Sequence, residues 1–199
     1  MFDLLRNLFL NRWLFVVEYS SLTLAGLFSI SGFAGPSPVQ APFFIEKAAD
    51  QEDWRFFMRA PPAWRASLWE HYSSQGKGLK DWHWTWRLGW IKACKTEQTP
   101  WCKKLANDAL KDPALVVRAA AVQALGQGFE GTENSEIIKA LADTYSREEN
   151  LRKGQPLFIQ EYILFSLRQI GGTTASGLAE SLAKRNAKTR LYWSKLNLP

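Results

Sequence analysis

The residues with the greatest capacity for chemistry lie in one run, Asp81-Trp82-His83-Trp84-Thr85-Trp86-Arg87-Leu88-Gly89-Trp90. On a helix, Trp82, Trp86 and Trp90 recur every fourth residue and share one face, while Trp84 points elsewhere. Tryptophan and arginine dominate binding hot spots, so this face with Arg87 is a candidate platform for a glycan or a partner protein. The same spacing also describes packing, with the indoles filling a groove between helices or sitting at a membrane surface. For any single tryptophan, packing is the better explanation. A second candidate surface lies further on. Lys184, Arg185, Lys188, Arg190 and Lys195 follow Glu180 with no further acid, and Tyr192 and Trp193 sit among them. Basic residues interleaved with aromatics can hold phosphates and stack bases. The simpler reading is a polar outer face on a terminal element.

Catalysis is poorly provided for. His71 and His83 are the only histidines, and Glu70 adjoins His71 in sequence, so those two side chains leave a helix in different directions. No His-x-x-x-His pair, Gly-x-Ser-x-Gly elbow or phosphate-cradling glycine loop occurs. Cys94 and Cys102 without a nearby histidine pair give too few ligands for a metal. No metal and no cofactor is expected, and an enzyme is the less favoured class. The cysteines flank Lys95–Trp101, read as a turn between two helices. In an oxidising compartment they would form a disulfide, which for so short a loop contributes about 2–3 kcal/mol in the chain-entropy model. The alternative is two buried thiols.

The compartment is argued from the first 35 residues. Arg6 and Arg12 precede Trp13–Phe33, 21 residues whose only charge is Glu18. That length spans a bilayer core, and Gly35-Pro36-Ser37-Pro38 stops it. Positive charge before the span places the rest outside the cytoplasm. We expect a retained signal anchor over residues 1–35, a linker at 36–42 and a folded domain at 43–199. A cleaved signal peptide is the alternative, since Gly32-Phe33-Ala34 and Val39-Gln40-Ala41 end in small residues. A helix buried in the protein itself is the third reading. The net charge of +6 favours anionic partners weakly.

The elements that must position these residues are helices. The most telling segment is Asp112-Pro-Ala-Leu-Val-Val-Arg-Ala-Ala-Ala-Val-Gln-Ala-Leu-Gly126. Asp-Pro reads as an N-cap and first helical position, the body is apolar nearly all round, and Gly126 reads as its stop. Such a helix must be covered on several sides. Asp112-Pro113, Val117-Arg118, Ala120-Ala121 and Ala124-Leu125-Gly126 resemble a HEAT repeat in its short bacterial form. The resemblance covers one helix well. It implies that Asp112 and Arg118 link successive repeats by polar contacts, and that the chain is a binding scaffold; a few members are enzymes or bind DNA.

Around it, helices are expected over Phe43–Arg59, Ala63–Tyr72, Asp81–Lys95 and Pro100–Lys111. Others are expected along the Ile137/Leu141/Tyr145 stripe, from Pro156 to Gly171, and from Thr173 or Thr174 through Leu182. Arg147–Gln155 reads as a charged linker. Gly126 to Gly171 is 45 residues, within the roughly 40–47 of a two-helix HEAT unit. The expected fold is all-α, a short HEAT-like solenoid of about four helix pairs behind one transmembrane helix. The expected function is a membrane-tethered scaffold for protein partners in a bacterial envelope complex, with anionic lipid or a glycan as further contacts. The alternative is a HEAT-like nucleic-acid-binding or repair protein with a basic, tryptophan-containing groove, which export would disfavour. Export itself is testable. A reporter active only outside the cytoplasm, fused after Pro199, is expected to be active; activity of a cytoplasm-specific reporter alone would overturn the topology.

Overall fold

The computed structural model describes residues 45–97 and 99–196. The span Trp13–Phe33 and the 36–42 linker lie outside the described residues. No helix among the described residues is long and apolar enough to cross a membrane. The architecture is all-α apart from one small hairpin. In order, the elements are α1 Gln51–Arg59, α2 Pro62–Ser74, α3 Trp84–Glu97, α4 Pro100–Ala109, α5 Leu115–Gly128 and α6 Ser135–Tyr145. There follow β1 Leu151–Arg152, β2 Gln155–Pro156, α7 Phe158–Ile170, α8 Gly172–Ala183 and α9 Ala187–Leu196.

Local chemistry sets the boundaries. Asp50 starts α1 with a full capping box: its Oδ1 accepts from the amides of Glu52 and Asp53 at 2.8 Å, and Asp53 Oδ2 accepts from the Asp50 amide at 3.1 Å. The first helix is thus shorter than Phe43–Arg59, and residues 45–50 are irregular. Asp81 does not cap α3. It accepts from the Gly78 amide at 2.7 Å and closes a short 3₁₀ turn at Leu79–Asp81. Thr99 caps α4, and Pro100 takes its first position. Pro156 lies in β2 rather than opening α7, and no threonine caps α8. The expected charged linker is a 3₁₀ turn followed by the hairpin, turned by Lys153 and Gly154 at φ 52° and 73°. Gly171, at φ 79°, ends α7 as expected. Within the basic tail, Ala187–Leu196 forms helix α9.

Helices α3, α5 and α7 lie side by side in a row, with α5 in the middle. Helix α4 packs on α3 and α5, α6 packs on α7 and α8, and α9 packs on α7 and α8. Near the N-terminal end of α5, Arg118 Nε donates to Asn150 Oδ1 at 3.0 Å, and the Asn150 carbonyl accepts from the Leu157 amide at the start of α7. Further along, Ser166 Oγ donates to the Val122 carbonyl at 3.0 Å. Helices α5 and α7 therefore run parallel. The core is continuous through the row: Val117, Val122, Leu125, Ile159, Ile163, Leu164 and Leu167 are all buried.

Gly126 departs from expectation and explains the closeness of this row. It does not stop α5, which continues to Gly128. A Cβ at Gly126 would lie 2.5 Å from Ser166 Oγ and 2.8 Å from Ser166 Cα. Glycine is there because the α7 backbone occupies that space. The expected cost of Gly126→Ala follows. Better helix propensity returns about 1 kcal/mol, but overpacking against backbone costs about 1–3 kcal/mol, so the substitution should lower the thermal midpoint. Gly177, in mid-α8 with nothing within 4 Å of a built Cβ, is the control: Gly177→Ala should raise it. Equal shifts in both would contradict the close contact.

Candidate binding face

Of the two readings of the tryptophan face, packing holds and the binding platform does not. Trp82, Trp86 and Trp90 are buried between α1, α2 and α3. Their rings meet edge to face with Phe57, Tyr72 and Trp69: Phe57–Trp90 at 4.8 Å, Tyr72–Trp82 at 4.7 Å and Trp69–Trp90 at 5.4 Å. Such pairs prefer this geometry because the ring edge is positive and its face negative. The shared face is correct, but neighbouring helices cover it, so it presents no surface to a ligand. Trp84 is the exposed indole.

Arg87 is also turned inward. Its Nε and Nη2 grip Asp112 Oδ2 and Oδ1 at 2.6 and 3.0 Å, and its Nη1 donates to the Trp82 carbonyl at 2.7 Å. Asp112 Oδ1 also accepts from the Ala114 amide at 2.8 Å. Asp112 thus organises the entry to α5 without being its N-cap. Arg118 repeats the arrangement, with Nη1 on the carbonyls of Asp112 and Pro113 and Nε on Asn150. Burial pulls the Arg118 guanidinium below its ordinary value, while the charges of Glu149 and Asp112 oppose that. Arg65, near the start of α2, does the same, with Nη1 on the carbonyls of Phe57 and Ala60 and Nε on Glu97 at 2.6 Å. Asp112 and Arg118 thus each bond to a residue of a neighbouring element, Arg87 on α3 and Asn150 ahead of β1.

The predicted cysteine pair is a disulfide. Cys94 and Cys102 are bonded, with Cα atoms 4.9 Å apart, and staple α3 to α4.

The basic residues of the C-terminal region are largely engaged. Lys184 pairs with Glu180 at 2.7 Å, and Lys188 with Glu161 of α7 at 3.2 Å. Arg190 donates to the Lys184 carbonyl at 2.9 Å and Arg185 to Ser146 Oγ at 3.2 Å. Lys184 and Arg190 do share an open cleft of about 730 Å³ with Ser176, Glu180 and Trp193. Glu180 neutralises the lysine there. Thr189 is buried and anchors α9, because Tyr145 Oη reaches Thr189 Oγ1 at 3.1 Å and the Leu182 carbonyl at 3.0 Å. Burial pushes the Tyr145 hydroxyl above its ordinary value.

What sequence reasoning missed is a surface on the row helices. Each keeps one narrow stripe open: Trp84, Leu88, Lys92 and Lys95 on α3; Val116, Ala120, Gln123 and Gln127 on α5; Phe158, Tyr162, Phe165 and Arg168 on α7. These are spacings of three and four, one helical face apiece. Because the N-terminal ends of the row lie level, Trp84, Val116 and Phe158 form an apolar strip across it, with Leu88, Ala120 and Tyr162 one turn behind. Trp84 is 43% exposed, Val116 42%, Phe158 38% and Phe165 41%. On α9, Leu191 is exposed between Lys188 and Lys195. Among the described residues, exposed large apolar side chains fall only on α1, α3, α5, α7 and α9, and none on α2, α4, α6 or α8. A signal existed in the sequence. Val116, Phe158 and Phe165 are apolar residues beyond what a covered stripe needs.

No group of three or more His, Cys, Asp or Glu residues among the described residues could hold a metal. The chain matches no family model, no curated protein and no solved structure at significant similarity.

The buried pair gives a clear stability expectation. Asp112→Ala strands the Arg87 guanidinium, whose side chain is 11% exposed, and should cost about 3–5 kcal/mol. Arg147→Ala, which breaks an exposed pair with Glu149, should cost under about 1 kcal/mol. Denaturant titration measures both, and similar values would refute the burial argument.

Proposed function

We propose that the chain is a membrane-tethered scaffold of HEAT type, docking a protein partner in a bacterial envelope or membrane complex through the open stripes of α3, α5 and α7. The observation that carries this reading is the one-sided placement of exposed apolar side chains. Contiguous exposed apolar surface with a polar rim marks interaction sites on soluble domains, and arrays of stacked helices use one face for extended binding. The arginine contacts between successive helices are in keeping with the repeat resemblance. The Cys94–Cys102 disulfide supports an oxidising compartment, and hence a domain outside the cytoplasm at the inner membrane, or in the periplasm after signal cleavage. The nucleic-acid alternative loses Trp82, Trp86 and Trp90, which are buried, and keeps only the cleft where Trp193 meets Lys184 and Arg190 beside Glu180.

The test is site-specific photo-crosslinking in cells. A photoreactive residue replacing Val116 or Phe158 should capture a discrete protein partner, whereas one replacing Lys139, exposed on α6, should not. Adducts from Lys139 alone, or from neither face, would overturn the assignment of the surface.

A further inference from the structure

From α2 onward, the charges on the helices sort with the exposed apolar residues, while α1 balances Glu52 and Asp53 against Arg55 and Arg59. Helices α3, α5, α7 and α9 hold Arg87, Lys92, Lys95, Arg118, Arg168, Lys188, Arg190 and Lys195 against Glu97 and Glu161. Helices α2, α4, α6 and α8 hold Arg65, Lys103, Lys104 and Lys139 against Glu70, Asp108, Glu136, Asp143 and Glu180. Two of the row arginines are buried in the contacts between helices. Lys188 and Arg190 are engaged with Glu161 and the Lys184 carbonyl; on the stripes of α3 and α7 the cations take the C-terminal half, with Lys92 over the Trp54 ring, Lys95, and Arg168 donating to the Leu196 carbonyl. The apolar strip takes the N-terminal half. The face is therefore apolar along its N-terminal edge, while its C-terminal edge carries cations on α3 and α7, glutamines on α5 and the exposed Phe165, also on α7.

We infer that this face receives an amphipathic helix laid across α3, α5 and α7, apolar where it meets Trp84, Val116 and Phe158, and bearing Asp or Glu on the one flank that faces Lys92, Lys95 and Arg168. This inference rests on the docking role proposed above and names the partner's chemistry. Three considerations select a helix. The row offers side chains but no strand edge, so an incoming segment must satisfy its own backbone hydrogen bonds. Packed helices lie about 8–10 Å apart, so the strip from α3 to α7 is about 16–20 Å long. A helix rising 1.5 Å per residue covers that in about 11–13 residues, with its apolar anchors about two turns apart. A bilayer fits less well. The apolar side chains are half sunk between neighbouring helices, a relief that suits an interdigitating helix better than a flat lipid surface.

The probe is a synthetic 18-residue helical peptide with leucines on one face and glutamates along one flank, labelled for fluorescence anisotropy and titrated into the full-length chain in detergent. Comparators are the same peptide with lysine replacing glutamate, a scrambled sequence, and vesicles containing phosphatidylglycerol. The glutamate peptide should bind about tenfold or more tightly than the lysine peptide at low salt, and the gap should shrink as salt screens the flank. Val116→Glu should weaken binding about tenfold with the melt unchanged. The triple reversal Lys92→Glu, Lys95→Glu, Arg168→Glu should exchange the preference between peptides, which keeps the test valid even if Val116→Glu unfolds the chain. Equal binding of glutamate, lysine and scrambled peptides would overturn the inference, as would vesicle binding without peptide binding. Crosslinks from Val116 in cells alongside failed peptide binding would remove the acidic helix and leave the docking face; loss of both would remove the docking face as well.

Discussion

A buried guanidinium keeps its charge and must place five N–H donors, and this chain meets that demand three times in one way. Arg65, Arg87 and Arg118 are each the fourth residue of their helix. Each sends Nη1 back to a carbonyl five residues upstream, at Ala60, Trp82 and Pro113. Each sends Nε forward to an acceptor elsewhere, Glu97, Asp112 or Asn150. The backward bond fixes the loop that leads into the helix. The forward bond fixes where the next unit sits. With the arginine desolvated, neither partner can drift without leaving a charge stranded, so the N-terminal ends of α3, α5 and α7 are held level. The series stops at α7, whose fourth residue is Glu161, paired instead with Lys188 of α9. A different terminal helix follows where the arginine is missing.

Away from these contacts the two ends of the domain use different packing. Around α5 the side chains are small, and Gly126 lets α7 approach to backbone contact. Around α1 to α3 the helices are joined by interlocked indoles and by the disulfide from α3 to α4. Helix α1 is only nine residues long and packs on α3, with Phe56 against Trp64 and the Phe57 carbonyl on Arg65 tying it to α2. Large aromatic rings bury much area per residue, which suits an end where few elements are available to cover one another. The staple at Cys94–Cys102 lies on α3 close to Glu97, where the first arginine's acceptor must be held in place.

The sequence was most legible where several signals coincided. The apolar α5, the stripe Ile137/Leu141/Tyr145, the Gly171 stop and the cysteine pair each rest on local pattern, and each is found. Boundaries failed where a side chain had a stronger offer from a distance. Asp112 reads as a cap but is claimed by Arg87, twenty-five residues earlier, and Gly126 reads as a stop but is spent on α7. Asn150 carried no signal, because its role depends on a hairpin that places it under Arg118. The tryptophan run was read with the right periodicity, and of its two readings the packed one holds while the binding platform does not. Spacing shows which residues share a face, and only the neighbouring helices decide whether that face is covered.

The open stripes carry a different kind of information. Along α5 the open stripe is Val116, Ala120, Gln123 and Gln127, exposed at its two ends and half-buried between, and its composition changes from apolar to polar midway. Folding does not require that change, since water meets all four positions. The open faces of α4 and α6 show what folding alone tolerates there: Lys104, Asn107 and Asp108 on one, Glu136, Lys139 and Asp143 on the other. A row helix built to the same rule would place a polar side chain at 116 and at 158. Exposed Val116 and Phe158 forgo solubility without any return in core packing, and they do so on adjacent helices at the same level. A contact outside the described residues is the term that balances this, and the level set by the buried arginines is what brings its separate pieces into one line.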